Sequence, residues 1–169
     1  RLGHSAGGIE AIPRTRPSGA HQLMADVLSS SKRSAIMSRI RGRDTAPELA
    51  SRTALRRLGL RFGICRRELP GSPDIVLRTM KTTLFVHGCF WHQHKGCSRC
   101  SMPSSHRPYW RQKLARNVER FVEIKRALKH EGWRVMVVWE CQTKNAVKLQ
   151  RLLGTKLGVS ANSIRGGKN

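Results

Sequence analysis

The densest chemistry in the chain lies between residues 86 and 97, in Val86-His87-Gly88-Cys89-Phe90-Trp91-His92-Gln93-His94-Lys95-Gly96-Cys97. Three of the seven histidines and two of the five cysteines fall here, with two aromatics between them. Thiolate and imidazole are the donors that tetrahedral zinc takes in structural sites. Cys89, His94 and Cys97 supply three of them within nine residues, and Cys141 offers a fourth from far along the chain. The set reads as a Cys3His site that ties a loop to a sheet. Cys97-Ser98-Arg99-Cys100 has the short spacing common at zinc sites, so Cys100 competes with Cys97 or Cys141 for a place. Spacing leaves that choice open. An odd number of cysteines, in a chain where no segment reads as a signal peptide, argues against a disulfide framework.

His87 and His92 lie outside that set. Imidazole titrates near neutrality and can accept or pass a proton. Phosphodiester hydrolysis needs an activated water, stabilisation of the developing oxyanion, and usually Mg²⁺ held by a carboxylate. Asp74 is the one acid on the expected core strands near the same end, so Asp74, His87 and His92 read together as a hydrolytic centre. Either histidine taken singly reads equally well as a hydrogen-bonded structural residue. Phe90 and Trp91 have burial as their ordinary fate. Beside such a centre their alternative is a wedge between base pairs, with Trp110 joining them.

These residues need a scaffold that brings distant segments to one place. Leu84-Phe85-Val86 leads straight into the motif and ends an expected strand over 82–86. A second strand, over 74–78, opens on Asp74 after the turn Pro70-Gly71-Ser72-Pro73. A turn near 79–81 joins the two, which places Asp74 beside the end of the Leu84–Val86 run. A strand is expected over 60–69, with Cys65 as core, and another over 133–140, with Cys141 at its far end.

Helices are expected over 45–58, 109–130 and 146–157, with a short basic one from Ser31 that presents Arg39, Arg41 and Arg43. The first of these opens on a capping box, Thr45 to Glu48, with Leu49, Ala54, Leu55 and Leu58 inward. On this reading Glu48 has a complete structural task. In the long helix Leu114, Val118, Phe121, Val122 and Leu128 are expected on one inward face. The order, with a three-strand meander and a fourth strand reached by a helical crossover, gives an α/β domain with a mixed sheet flanked by helices.

The chain has 169 residues, enough for one domain with a proper core. Lys and Arg number 33 against 10 Asp and Glu, a formal charge of +23. A balance this basic points to a phosphate backbone as partner. An anionic membrane is the competitor, but no apolar run is long enough to span one. Residues 1–23, rich in Gly, Pro, Ser and Arg, read as a disordered extension ahead of Met24 as native start; 24–158 forms the domain and 159–169 a polar tail.

The residues also carry a resemblance. The strings Arg43-Asp44-Thr45-Ala46-Pro47-Glu48, Leu69-Pro70-Gly71-Ser72-Pro73-Asp74, His87-Gly88-Cys89-Phe90-Trp91-His92, Asn117-Val118-Glu119-Arg120 and Val138-Trp139-Glu140-Cys141 occur in an order that resembles the very short patch repair (Vsr) endonucleases. The resemblance covers about 24–157. It implies a restriction-endonuclease-like fold, a variant of the PD-(D/E)xK nucleases. It implies Mg²⁺ held by Asp74 and by the backbone carbonyl of Val86, at a position often threonine in the family. His87 and His92 are then the groups that activate water and stabilise the scissile phosphate, and Glu48 an acid near the centre. Zinc falls to Cys89, His94, Cys97 and Cys141, with Lys95 and Gly96 as extra spacing before Cys97. Phe90, Trp91 and Trp110 match the intercalating aromatics. Phe121 departs from the pattern, where an acid is expected, and is expected to alter charge pairing without touching the centre.

The implied activity is a Mg²⁺-dependent nick 5′ of the thymine in T:G mismatches left by deamination of 5-methylcytosine. The implied setting is a monomer on double-stranded DNA in a bacterial cytoplasm, at the nucleoid, with mismatch-repair proteins as further partners. The rival from another class is a non-catalytic zinc-containing nucleic-acid-binding module, in which Asp74 is structural.

Overall fold

The computed structural model describes residues 43–64 and 67–159. The basic helix expected from Ser31, the core role of Cys65, the segment 1–23 and nearly all of the tail lie outside the described residues. Helix α1 (Ala46–Arg57) is followed by β1 (Gly63–Ile64), β2 (Ile75–Leu77) and β3 (Thr82–His87). Helix α2 (Arg107–His130) then crosses over to β4 (Arg134–Trp139), and α3 (Ala146–Leu157) completes the described fold. The four strands form one sheet in sequence order. β1 and β2, and β2 and β3, pair antiparallel, whereas β3 and β4 pair parallel. The sheet is therefore mixed and flanked by helices, as the element pattern predicts.

Alternation along β3 separates two cores. Leu84 packs with Ile75, Leu77, Met136 and Val138 against Leu55 and Leu58 of α1 and Leu149 and Leu153 of α3. Each such leucine removed from water contributes about 1.5–3 kcal/mol. The intervening residues Phe85 and His87 face α2 instead, where both rings meet Phe121. This alternation turns His87 away from the aliphatic core and towards the long helix.

Three expectations about faces and lengths are corrected. β1 spans Gly63–Ile64, not 60–69, because it pairs only with the short β2, and residues 67–70 are turn and bend. Val118 and Val122 of α2 are exposed, at 38% and 51%. Buried Trp110, Leu114 and Leu128 recur with spacings of four and fourteen, which keep one helical stripe. Val118 and Val122 rotate progressively off it at about 100° per residue. Leu49 is likewise 49% exposed, because the inward stripe of α1 runs through Glu48, Ser51, Arg52 and Leu55. Two charged residues thus occupy a face expected to be aliphatic.

Candidate active site and metal centre

The parallel register of β3 and β4 places His87 beside Trp139 at the carboxyl ends of the two strands. Cys89 and Cys141 each follow two residues later, one beyond each strand. His94 and Cys97 come from the loop after Cys89, and the donor atoms of all four lie within 4.8 Å of one another. Cys89 Sγ is 3.7 Å and Cys141 Sγ 3.4 Å from His94 Nδ1. A tetrahedral zinc with legs of about 2.3 Å to sulfur and 2.0–2.1 Å to nitrogen puts such an edge near ~3.6 Å. The group thus fits zinc in both donor chemistry and spacing.

Burial pushes the Cys89 thiol up to about 12, so it stays protonated unless a cation takes the proton's place. The Arg99 backbone N–H beside Cys97 holds that thiol below its ordinary value. Cys100 is not one of the four, though its thiol neighbours that of Cys97. Its thiol donates to the carbonyls of Cys89 and His94, each 3.0 Å away, and burial raises its pKa. It braces the loop backbone beside the donor cluster. The two extra residues before Cys97 are absorbed in a turn with Gly96 at φ 74°, where the left-handed backbone suits glycine.

Asp74 immediately precedes β2 and reaches across to β3. Its Oδ2 accepts the Val86 N–H at 2.7 Å, which fixes the carboxylate against the Val86 backbone. Burial raises the Asp74 carboxyl to about 6; the Val86 N–H opposes that rise, Glu48 adds to it and Arg52 opposes it. A half-buried carboxylate, with another close by and a backbone strand alongside, is a hard-oxygen environment suited to Mg²⁺.

His87 and His92 lie face to face, with ring centroids 3.6 Å apart and planes at 10°. Burial, and then His92, lowers the His87 pKa to about 3. Burial, and then Arg120, lowers that of His92. Two stacked cations would repel, so neutral imidazoles suit this geometry. His92 Nδ1 is buried with no hydrogen-bond partner among the described residues.

Glu48 caps α1 differently from the reciprocal box expected of Thr45 and Glu48. Thr45 Oγ1 donates to Glu48 Oε1 at 2.7 Å, and the Asp44 backbone N–H donates to Glu48 Oε2 at 3.0 Å. The Thr45 hydroxyl is turned towards the carboxylate, and no side chain accepts at the helix N-cap. Arg52, one turn on, donates to Glu48 Oε2 at 3.0 Å and also pairs with Asp44.

Comparison with known proteins bears on what this assembly is. The family profile described as DNA mismatch endonuclease Vsr matches residues 25–99. Type II nicking enzyme V.XorIIP of Xanthomonas oryzae pv. oryzae is 43% identical over 137 residues, covering 81% of this chain and 100% of that protein. Type II nicking enzyme V.NmeAIP of Neisseria meningitidis is 39% identical over 130 residues, 76% of this chain and 92% of that protein. DNA mismatch endonuclease Vsr of Escherichia coli is 40% identical over 126 residues, 75% of this chain and 80% of that protein. The chain belongs to the Vsr family.

Within this Vsr fold several neighbours of the site escaped the sequence reading. Phe121 touches the centre, contrary to expectation. Its ring stands edge-on to His87 at 4.3 Å and to His92 at 6.2 Å. The reason is its place on the inward stripe of α2, seven residues after Leu114. Trp139 stacks on His94 at 4.1 Å and meets His87 edge-on at 5.5 Å, so one ring joins the metal group to the histidine pair. Its parallel pairing with His87 was the available signal. Asn117 Nδ2 donates to the Trp91 carbonyl at 3.3 Å, tying the Vsr aromatic loop to α2.

The three aromatics named from sequence do come together. Phe90 lies 5.1 Å from Trp91 and 5.4 Å from Trp110. Phe90 and Trp91 are half-buried, but Trp110 is 1% exposed and forms the floor beneath them. Tyr109, half exposed, flanks Trp110 at 5.3 Å. From Tyr109 a groove of about 550 Å³ runs along α2, lined by Lys113, Arg116 and Arg120 and by Glu119 and Glu123. No helix among the described residues is long and apolar enough to cross a membrane.

Proposed function

We propose that this chain nicks double-stranded DNA 5′ of the thymine in T:G mismatches and so starts very short patch repair. The observation that carries the reading is the meeting of Asp74, the Val86 backbone and the stacked His87–His92 pair at one sheet end. The names of the relatives agree with it: one is a DNA mismatch endonuclease and others are nicking enzymes. DNA binding suits the formal charge of +23.

Asp74 and the Val86 carbonyl would hold Mg²⁺, with Glu48 close by. Bound there, Mg²⁺ would neutralise charge on the scissile phosphate and make water easier to deprotonate. His92 accepts the proton of the attacking water as the scissile P–O bond breaks, and the departing oxygen takes a proton from solvent. His87, buried and neutral, donates to a phosphate oxygen and orients it. Phe121 and Trp139 hold this ring pair in register. Cys89, His94, Cys97 and Cys141 would hold zinc as a structural cross-link between the ends of β3 and β4.

Phe90 and Trp91 enter the base stack on the Trp110 floor, and the wobble pair is read by how readily it deforms. The protein acts as a monomer, and mismatch-repair proteins act alongside it. The test is a duplex bearing one T:G pair, end-labelled on each strand, incubated with Mg²⁺ and then in EDTA. A Mg²⁺-dependent nick on the T strand alone is expected, with none on the matched duplex. Tight binding without a nick would leave the zinc-bearing binding module as the reading.

A further inference from the structure

Cys100 has no place in the mechanism above, yet it stands one turn from a donor of the Cys3His group. The Cys100 backbone N–H donates to the Cys97 carbonyl at 3.0 Å, and Ser98–Cys100 is a single 3₁₀ turn with Cys97 as its N-cap. A turn closed by that bond holds its first and fourth Cα atoms within about 7 Å. Side chains three apart on a 3₁₀ turn eclipse, about 6 Å from one another. A disulfide bridges Cα atoms about 4.4–6.8 Å apart. The turn therefore presents Cys97 and Cys100 to each other in disulfide range. Both are free thiols and half-buried, whereas Cys89 is buried.

Bracing alone does not call for sulfur. The Cys100 thiol donates to the Cys89 and His94 carbonyls at 3.0 Å each, and a hydroxyl would make those bonds better, since S–H is a weak donor. We propose that Cys97 and Cys100 are a redox modification site: a dithiol that a small-molecule disulfide oxidises to an intramolecular disulfide, taking Cys97 out of the Cys3His group. The inference rests on the reading of that group as a zinc site. The Cys97 thiolate attacks one sulfur of the small disulfide; that S–S bond breaks and a small thiolate leaves. Cys100 passes its proton to the departed thiolate and attacks the Cys97 sulfur, and the second small thiolate leaves. Two protein sulfurs are oxidised and one small disulfide is reduced. Closure within one turn favours this product over a mixed disulfide, because the second sulfur is already held beside the first. Three donors then remain, and the Cys100 bonds to the Cys89 and His94 carbonyls are lost. The loop that carries Phe90, Trp91 and His92 loses both fastenings together.

The zinc-loaded protein is equilibrated in glutathione buffers of rising oxidised-to-reduced ratio, and released zinc is read with a chromophoric chelator. Samples are quenched in acid, alkylated and digested with trypsin. Trypsin cuts after Lys95 and Arg99, so a Cys97–Cys100 link joins the peptide 96–99 to the one that begins at Cys100. In wild type the joined pair should appear in step with zinc release, and dithiothreitol with added zinc should reverse both. Cys100→Ser keeps the brace and the four donors but leaves Cys97 without its partner. Its zinc-release midpoint should need an oxidised-to-reduced ratio at least about tenfold higher. Equal midpoints in the two proteins, a link mapped to Cys89 or Cys141 instead, or wild type that keeps its zinc and free Cys97 and Cys100 in fully oxidised glutathione would each overturn the proposal and leave Cys100 a brace. A wild type that takes up no zinc overturns the zinc reading, and this inference with it.

Discussion

Replacing Asp74 with asparagine should stabilise the cation-free protein while abolishing the nick. The Asp74 carboxyl rises from an ordinary 3.8 to about 6, chiefly through burial. The folded carboxyl therefore binds its proton more tightly than the unfolded one does. That preference favours the folded protein in full below pH 3.8 and is lost progressively as the pH climbs to about 6. Above that the ionised group remains as a standing cost. At about 1.36 kcal/mol per pH unit, the interval between 3.8 and about 6 amounts to about 3 kcal/mol. Asparagine cannot ionise, and it keeps an oxygen for the Val86 N–H, which now sits 2.7 Å from Asp74 Oδ2. For a domain of this size each kcal/mol moves Tm by about 2–4 °C, so the gain at pH 8 is roughly 6–12 °C. At pH 4.5 it should shrink to about 1 kcal/mol, because most of the wild-type carboxyl is then protonated when folded. Melting curves of zinc-loaded protein without added Mg²⁺, at both pH values, measure the difference. An unchanged or lower Tm for Asp74→Asn at pH 8, with zinc content intact, refutes the reasoning.

Further outcomes follow from the same geometry. Cys100→Ser should keep one bound metal per chain, since a hydroxyl can still donate to the Cys89 and His94 carbonyls, whereas Cys97→Ser should weaken the metal and lower Tm; equal metal loss in both, by elemental analysis, would exclude this ligand assignment. His92→Ala should slow nicking by roughly 10²–10⁴ with mismatch binding retained; a full rate in single-turnover assays removes His92 from proton transfer. Phe121→Ala should lower the rate at saturating DNA with KM unchanged, because the ring holds the histidine pair; a raised KM with kcat intact would place Phe121 in DNA binding instead.

Much of the scaffold is legible in the sequence because strong local signals specify it. Pro47 and Gly59 bracket α1, and Gly132 ends α2 at φ 77°. The parallel neighbour of the Leu84–Val86 run is readable because only one later apolar run can supply it, and Cys141 comes with it. Faces are less legible. Leu49 looks like core by residue type, but the stripe that meets the sheet is fixed by Leu55 and Leu58, and it carries Glu48 and Arg52 inward. Helical periodicity tolerates either choice until a tertiary partner selects one. Phe121 was misjudged for a related reason. The family resemblance implies an acid there, but nothing in the sequence shows that α2 turns that position onto the histidine rings.

The site depends on register more than on any single residue. A one-residue slip between β3 and β4 would send His87 to the aliphatic face and carry Cys89 away from Cys141 together. A metal held by the Cys3His group would guard against that slip, since its four donors converge only when both strands end level. Trp139 adds a second linkage, because its ring is stacked on His94 and also braces His87. The Cys3His group and the His87 imidazole therefore share one brace. On the opposite side, Asp74 is fixed by the Val86 N–H, one residue before His87 on the same strand. Each chemical group is thus tied to β3 through a different contact, which is why so short a stretch can combine a Cys3His donor group, a histidine pair and an aromatic platform without any of them competing for the same face.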